Sequence, residues 1–154
     1  MTQSRLLKPI FLTTLSLLLL LAQLAHAAKP IYSGGRERAA IRGYDAVAYF
    51  VENKPVKGSE EFSIEHKGAK WYFTSAENRD LFLSDPEKYE PQYGGYCAYA
   101  IARDTTASSK PEYFTIHEGK LYLNYSKSVY KRWLKDMEGY ISEADSNWPN
   151  VLGD

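Results

Sequence analysis

"KWYFTSAENRDLFLSDPEKY", residues 70–89, is the stretch that decides the fold. Its aromatic run Trp71, Tyr72, Phe73 suits a strand, because large side chains pack well on a pleated, half-buried surface. Ser75 then stands where a helix N-cap belongs, and "AENRDLFL" behind it can turn Leu81 and Phe82 toward a core. Pro86, after Asp85, suits the first turn of another short helix, "PEKY".

Upstream, "FSIEH" from Phe62 alternates and "KG" can turn, so this segment and the aromatic run together read as a β-hairpin. Downstream the plan recurs. "YFTIH" alternates, "EG" can turn, "KLYLNY" alternates again, and Ser126 caps a stretch with Val129, Tyr130, Trp133, Leu134 and Met137 on an apolar stripe. Ser75 precedes Phe82 by seven residues, and Ser126 precedes Trp133 by the same seven. Two units are too few for a solenoid. They predict a small single-domain α+β fold, two β-hairpin-then-helix units packed around an antiparallel sheet. Between them, "ARDTTASSKPE" is an expected exposed loop. The tail "ISEADSNWPNVL" predicts a last helix that stops before Pro149, with Trp148 folded back onto the body.

At the other end, Arg5 and Lys8 precede "IFLTTLSLLLLLAQLAHA", which closes on Ala25 and Ala27. That is the order of a secretory signal peptide cleaved after Ala27. The strongly apolar part, Ile10 to Leu21, is shorter than the roughly 20 residues a spanning helix needs, so no stable membrane span is expected after cleavage. The expected division is residues 1–27 as signal peptide, 28–42 as an N-terminal arm or linker, and 43–151 as the domain with a C-terminal extension. A periplasmic or secreted protein follows. The chain has 19 basic and 19 acidic residues, and losing Arg5 and Lys8 leaves 17 against 19, a charge of −2. No footprint for nucleic acid or an anionic membrane is present.

Cys97, in "PQYGGYCAYA", is the only cysteine, so no internal disulfide can form even in an oxidising compartment. Two readings stand. Free cysteine is often a small buried hydrophobe. Alternatively, Cys97 is a working redox thiol, which needs a cation, a helix N-terminus or hydrogen-bond donors at its sulfur. The N–H groups of Gly94 and Gly95 and the hydroxyls of Tyr93, Tyr96 and Tyr99 are candidate donors. The same three tyrosines are candidates to line a pocket for a small apolar ligand. His66 and His117 each precede a hairpin turn. They are either solvated turn residues or, with Cys97 and Met137, a metal set soft enough for Cu(I) that only the fold could assemble. Asp45, in "GYDAVAYF", suits a turn or cap, or a role orienting a tyrosine or binding metal. "YGGY" has neither phosphate-loop nor dinucleotide spacing, and no catalytic partner for Cys97 can be named, so the reading leans away from an enzyme.

Residues 70–89 resemble the YHS domain through the aromatic strand, Ser75, the helix ending in Phe82, and "DPEKY". More widely, "GYDAVAYF", "KGSEEF", "YGGYCAYA", "KLYLNYSKSVYKRW" and "ADSNWP" resemble the exported bacterial YHS domain-containing (seleno)proteins, from Gly43 to Val151. The resemblance implies metal binding, with copper as the candidate cofactor, through cysteines. In this sequence Thr74 follows "WYF", Asn78 stands where the short module carries His or Cys, and "GYDAVAYF" has no cysteine. It also implies that Cys97 is the position taken by selenocysteine in similar proteins, and so a redox role. The expectation is an exported accessory domain that binds copper or does thiol redox chemistry through Cys97. The alternative is a noncatalytic small-ligand or protein interaction module with Cys97 buried. The corresponding partners are a small molecule, a metal or an exported protein.

Overall fold

The computed structural model describes residues 27–36 and 38–152, so the signal-peptide reading falls outside the described residues except at Ala27. A one-turn helix, α1 (Ala48–Val51), precedes a hairpin of β1 (Ser59–His66) and β2 (Ala69–Phe73). Helices α2 (Ala76–Ser84) and α3 (Pro86–Tyr89) follow. After a second one-turn helix, α4 (Ala98–Ile101), comes a hairpin of β3 (Lys110–His117) and β4 (Lys120–Asn124), then α5 (Lys127–Trp133) and α6 (Met137–Leu152).

Local chemistry explains most of these boundaries. Both hairpins turn on two residues with positive φ, Lys67 and Gly68 in one, Glu118 and Gly119 in the other. That geometry matches the twist of paired antiparallel strands. Ser75 Oγ accepts the Asn78 N–H at 3.2 Å, and Ser126 Oγ accepts the Val129 N–H at 3.3 Å. Each serine satisfies a donor that the helix start leaves unpaired. Asp85 does the same for Lys88, with Pro86 in the first turn of α3.

Helices and small antiparallel sheets make this an α+β fold, but the strands form two separate two-stranded sheets, β1-β2 and β3-β4, instead of the one sheet expected. The outer edges of β2 and β4 are taken by other backbone. Ala39 bridges Lys70 in parallel, and Pro91 and Cys97 bridge Leu121 and Leu123. An occupied edge cannot pair with another strand.

One buried cluster gathers Trp71, Phe73 and Phe82 with Ile41, Val47, Tyr49, Leu121 and Leu123. The Trp71 and Phe82 rings lie 4.8 Å apart, and burying each such side chain contributes about 1.5–3 kcal/mol. A second cluster holds Tyr93, Ile101, Tyr122 and Trp133. Residues 28–42, read as an arm, supply buried Ile31, Ala40 and Ile41 to the first cluster.

The last helix does not stop before Pro149. It runs through that residue to Leu152. Proline cannot donate the backbone bond expected there. The turn is held from outside instead: Trp148 packs on the Tyr93 and Tyr96 rings, each at 6.0 Å, and the Ala28 N–H donates to the Val151 carbonyl at 2.9 Å.

Candidate functional site

Asp45 is fully buried and lies at the end of a tight turn whose residues Ile41 and Arg42 adopt left-handed backbone, φ/ψ 49°/32° and 54°/31°. Its Oδ1 accepts the N–H groups of Val47 at 2.8 Å and Ala48 at 3.2 Å, and so caps the start of α1. Its Oδ2 accepts three more donors, the Thr74 N–H at 2.8 Å, the Thr74 hydroxyl at 2.9 Å and Asn78 Nδ2 at 2.7 Å. Buried carboxylates persist only when so satisfied. The turn after β2 therefore brings to one point the aspartate of "GYDAVAYF" with Thr74, which follows "WYF", and Asn78, which stands where the short module carries His or Cys.

Fifty or so residues later the backbone repeats itself. Tyr93 and Gly94 take φ/ψ 54°/38° and 58°/17°, like Ile41 and Arg42, and Gly95 matches Gly43 in positive φ. Gly95-Tyr96-Cys97-Ala98 corresponds to Gly43-Tyr44-Asp45-Ala46. The Asp45 N–H donates to the Val56 carbonyl at 2.9 Å, and the Cys97 N–H to the Ala107 carbonyl at 3.0 Å. Cys97 thus occupies in the second unit the place of Asp45 in the first. Thr74 corresponds to Tyr125 and Asn78 to half-buried Val129. The recurring Gly-Tyr-x-Ala was the available signal for this duplication.

Cys97 is 1% exposed. Its thiol donates to Asn124 Oδ1 at 3.7 Å. Burial pushes the thiol pKa up, while nearby backbone N–H groups of Ala100, Tyr125 and Tyr99 pull it down. Gly94 and Gly95 are not among them, and the Tyr99 N–H donates to Asn124 Oδ1 at 3.4 Å while that of Ala100 donates to the Cys97 carbonyl at 2.9 Å. Nor do the neighbouring hydroxyls reach the sulfur. The Tyr93 hydroxyl donates to Asp145 at 2.8 Å, and the Tyr99 hydroxyl accepts from Arg132 at 3.5 Å. Tyr93 and Tyr96 are buried, whereas Tyr99 lies at the surface under Arg103 and Arg132. Tyr96 faces a cleft with Asp104, Thr106 and Val151 that neither of the other two tyrosines lines.

The histidines are engaged elsewhere. His66 Nε2 meets Glu90 Oε1 at 2.7 Å, with Lys67 on the other oxygen at 2.8 Å. His117 pairs with Lys120 at the tip of the second hairpin, three strand positions from Leu123, which bridges Cys97. At strand rise that is roughly 10 Å. Among the described residues, no group of three His, Cys, Asp or Glu side chains converges as a metal site. Cys97, His66 and His117 are not brought together.

A YHS domain is detected at residues 47–93. The YHS match covers α1, the first hairpin, α2 and α3, and ends in the second tight turn. No curated protein and no solved structure matches the chain. YHS domains are often associated with copper, but the convergent Asp45–Thr74–Asn78 cluster does not fit it. A carboxylate already accepting five hydrogen bonds beside a hydroxyl and an amide is a hard, saturated set, whereas Cu(I) selects thiolate and thioether.

Beside the first tight turn lies a cleft of about 380 Å³ lined by Arg36, Arg42, Lys57 and Tyr44, with Lys110 and Glu112 of β3 closing its other side. Arg42 holds left-handed backbone without being glycine, a conformation costing on the order of 1 kcal/mol, and its Nε is pinned to the Ser109 carbonyl at 2.9 Å. Lys57 donates to the Arg42 carbonyl at 2.7 Å and sits over the Tyr44 ring. In the second unit the matching face is covered by the chain itself. The Tyr32 N–H donates to the Gly94 carbonyl at 2.8 Å, the Tyr32 ring rests on Tyr96, and a Cβ at Gly94 would collide with the Pro30 carbonyl.

Proposed function

We propose that this YHS-domain protein is an exported, noncatalytic accessory module whose working surface is the Arg42 cleft, and that its ligand bears carboxylates or phosphates. The observation that carries this reading is the contrast between the two units. One face holds an extended segment of its own chain through the Gly94 carbonyl, while the equivalent open face carries Arg36, Arg42, Lys57 and Lys110 around the Arg42 carbonyl. A cleft with such an excess of cations, in a protein whose charge after cleavage is 17 − 19 = −2, concentrates anions locally. Asp45 and Cys97 are both buried, away from this cleft.

The test is fluorescence anisotropy of a labelled oligoglutamate peptide added to the folded protein. Binding is expected to weaken with salt and to drop at least tenfold in Arg42→Glu and Lys110→Glu. Equal binding by wild type and both variants would sink the proposal.

A further inference from the structure

Among the described residues, three buried side-chain polar atoms have no hydrogen-bond partner: Thr115 Oγ1, Asn124 Nδ2 and Trp133 Nε1. They share one side of the second hairpin. Thr115 stands opposite Tyr122 in the β3-β4 ladder, Asn124 shares the face of Tyr122 because strand side chains alternate, and the Trp133 ring of α5 lies 5.6 Å from the Tyr122 ring. A buried polar group left unpaired is costly, so three on one face need a common reason. Aligning the units on the caps Ser75 and Ser126 places Ile64, Trp71, Phe73 and Phe82 at the positions of Thr115, Tyr122, Asn124 and Trp133. In the first unit that face is packed apolar. Ile64 pairs with Trp71, and the Phe82 ring lies 4.8 Å from Trp71 and 5.3 Å from Phe73. The second unit keeps the arrangement and changes the chemistry. Three of the four side chains are smaller there and only Trp133 is larger, so the face gains polar groups and loses bulk.

Asn124 cannot relieve its orphan by turning over. Its Oδ1 accepts the Cys97 thiol at 3.7 Å and the Tyr99 N–H at 3.4 Å, which leaves Nδ2 on the other side of the amide. Trp133 Nε1 and Asn124 Nδ2 can only donate, and the Thr115 hydroxyl can donate as well, so their common partner is an acceptor. No lysine or arginine is among the buried described residues, and a buried anion without a cation is costly, so that acceptor is neutral. Tyr122 connects the face to the surface. It is 2% exposed and lines a cleft of about 510 Å³ with Ile141, Ser142 and Asp145. We propose that Thr115, Asn124 and Trp133 form a buried binding site for a small neutral molecule with an acceptor oxygen, reached past Tyr122 from that cleft. The oxygen belongs to a water molecule or to the carbonyl of a small amide or ketone. A core that breaks the packing rule its own duplicate obeys marks a place with a use. The site is separate from the Arg42 cleft and does not depend on what binds there.

The test follows the indole Nε1–H signals of the isotope-labelled protein by nuclear magnetic resonance, in water alone and with N-methylacetamide added. Trp71, whose Nε1 already donates to the His66 carbonyl at 3.1 Å, is the internal control. A resident water gives a magnetisation-transfer peak between water and the Trp133 Nε1–H, with none at Trp71. A carbonyl ligand gives a saturable shift of the Trp133 signal on adding the amide, with none at Trp71. Thr115→Val keeps the side-chain shape and removes the hydroxyl, and is expected to abolish the water peak or weaken amide binding at least about fivefold. The site is overturned if Trp133 shows neither signal, if Trp71 responds equally, or if the response persists unchanged in Thr115→Val.

Discussion

Asn78 donates its side-chain Nδ2 to Asp45 Oδ2 at 2.7 Å, tying a helix to the turn that opens the YHS unit through a fully buried carboxylate. Replacing Asp45 by alanine strands the Val47, Ala48 and Thr74 N–H groups and the Asn78 amide together. Each buried donor left unpaired costs about 1–3 kcal/mol, so Asp45→Ala is expected to lose about 3 kcal/mol or more in urea unfolding. A loss below about 1 kcal/mol would show that the cluster is not what holds this turn.

The same cluster predicts the metal behaviour. Titration with Cu(I) against a chromophoric chelator is expected to show no tight stoichiometric site in the wild type, and Cys97→Ser should leave the curve unchanged. Asp45→Cys, Thr74→Cys and Asn78→Cys combined put three thiols at one point, and should create such a site. A tight wild-type site lost in Cys97→Ser would contradict the donor assignment.

The tyrosines should titrate in a defined order. Arg132 and Arg103 favour the phenolate of Tyr99 and lower its pKa, while burial pushes Tyr122 up to about 12 and Tyr93 higher still. Ultraviolet titration is expected to show one early phenol that moves to higher pH when Arg132 is replaced by leucine. Tyr122 has a folded pKa above its unfolded value of 10, so the stability it contributes is complete below pH 10 and declines as pH rises toward 12. An alkaline unfolding curve flat across that window would contradict its burial.

Arg42 separates binding from stability. Glycine adopts left-handed backbone without the Cβ penalty, but the variant also loses the guanidinium bond to the Ser109 carbonyl, so the two effects oppose and Arg42→Gly should change stability by no more than about 1 kcal/mol in either direction. It should nevertheless bind oligoglutamate at least tenfold more weakly. Gly94→Ala, its mirror in the second unit, should be strongly destabilised, because the added carbon meets the Pro30 carbonyl. Calorimetry of the two variants checks both halves of this contrast.

What could be read in the sequence was local. The alternating strands, the Lys67-Gly68 and Glu118-Gly119 turns and the caps Ser75 and Ser126 each depend on neighbours within a few residues. The presence of two sheets was not legible, because what closes the strand edges is backbone distant in sequence, Ala39 at Lys70 and Cys97 at Leu123. Pro149 looked like a stop, since nothing local to it says that Trp148 and Val151 are anchored from outside. At the candidate site, the convergence of Asp45, Thr74 and Asn78 needed the fold. The likeness of the backbone at Asp45 and Cys97 was legible only as the recurring Gly-Tyr-x-Ala, since the two side chains differ and meet different partners.

The proposed ligand site is the cationic cleft, and not the buried thiol or the histidines. The most direct measurement is a two-dimensional amide spectrum of the isotope-labelled protein titrated with oligoglutamate. The expected result is a set of saturable shifts at Gly35, Arg36, Arg42, Tyr44, Lys57 and Lys110, which line one cleft. Shifts confined to the Tyr99–Arg103–Arg132 surface or to the His117 hairpin tip, or none at all, would contradict it.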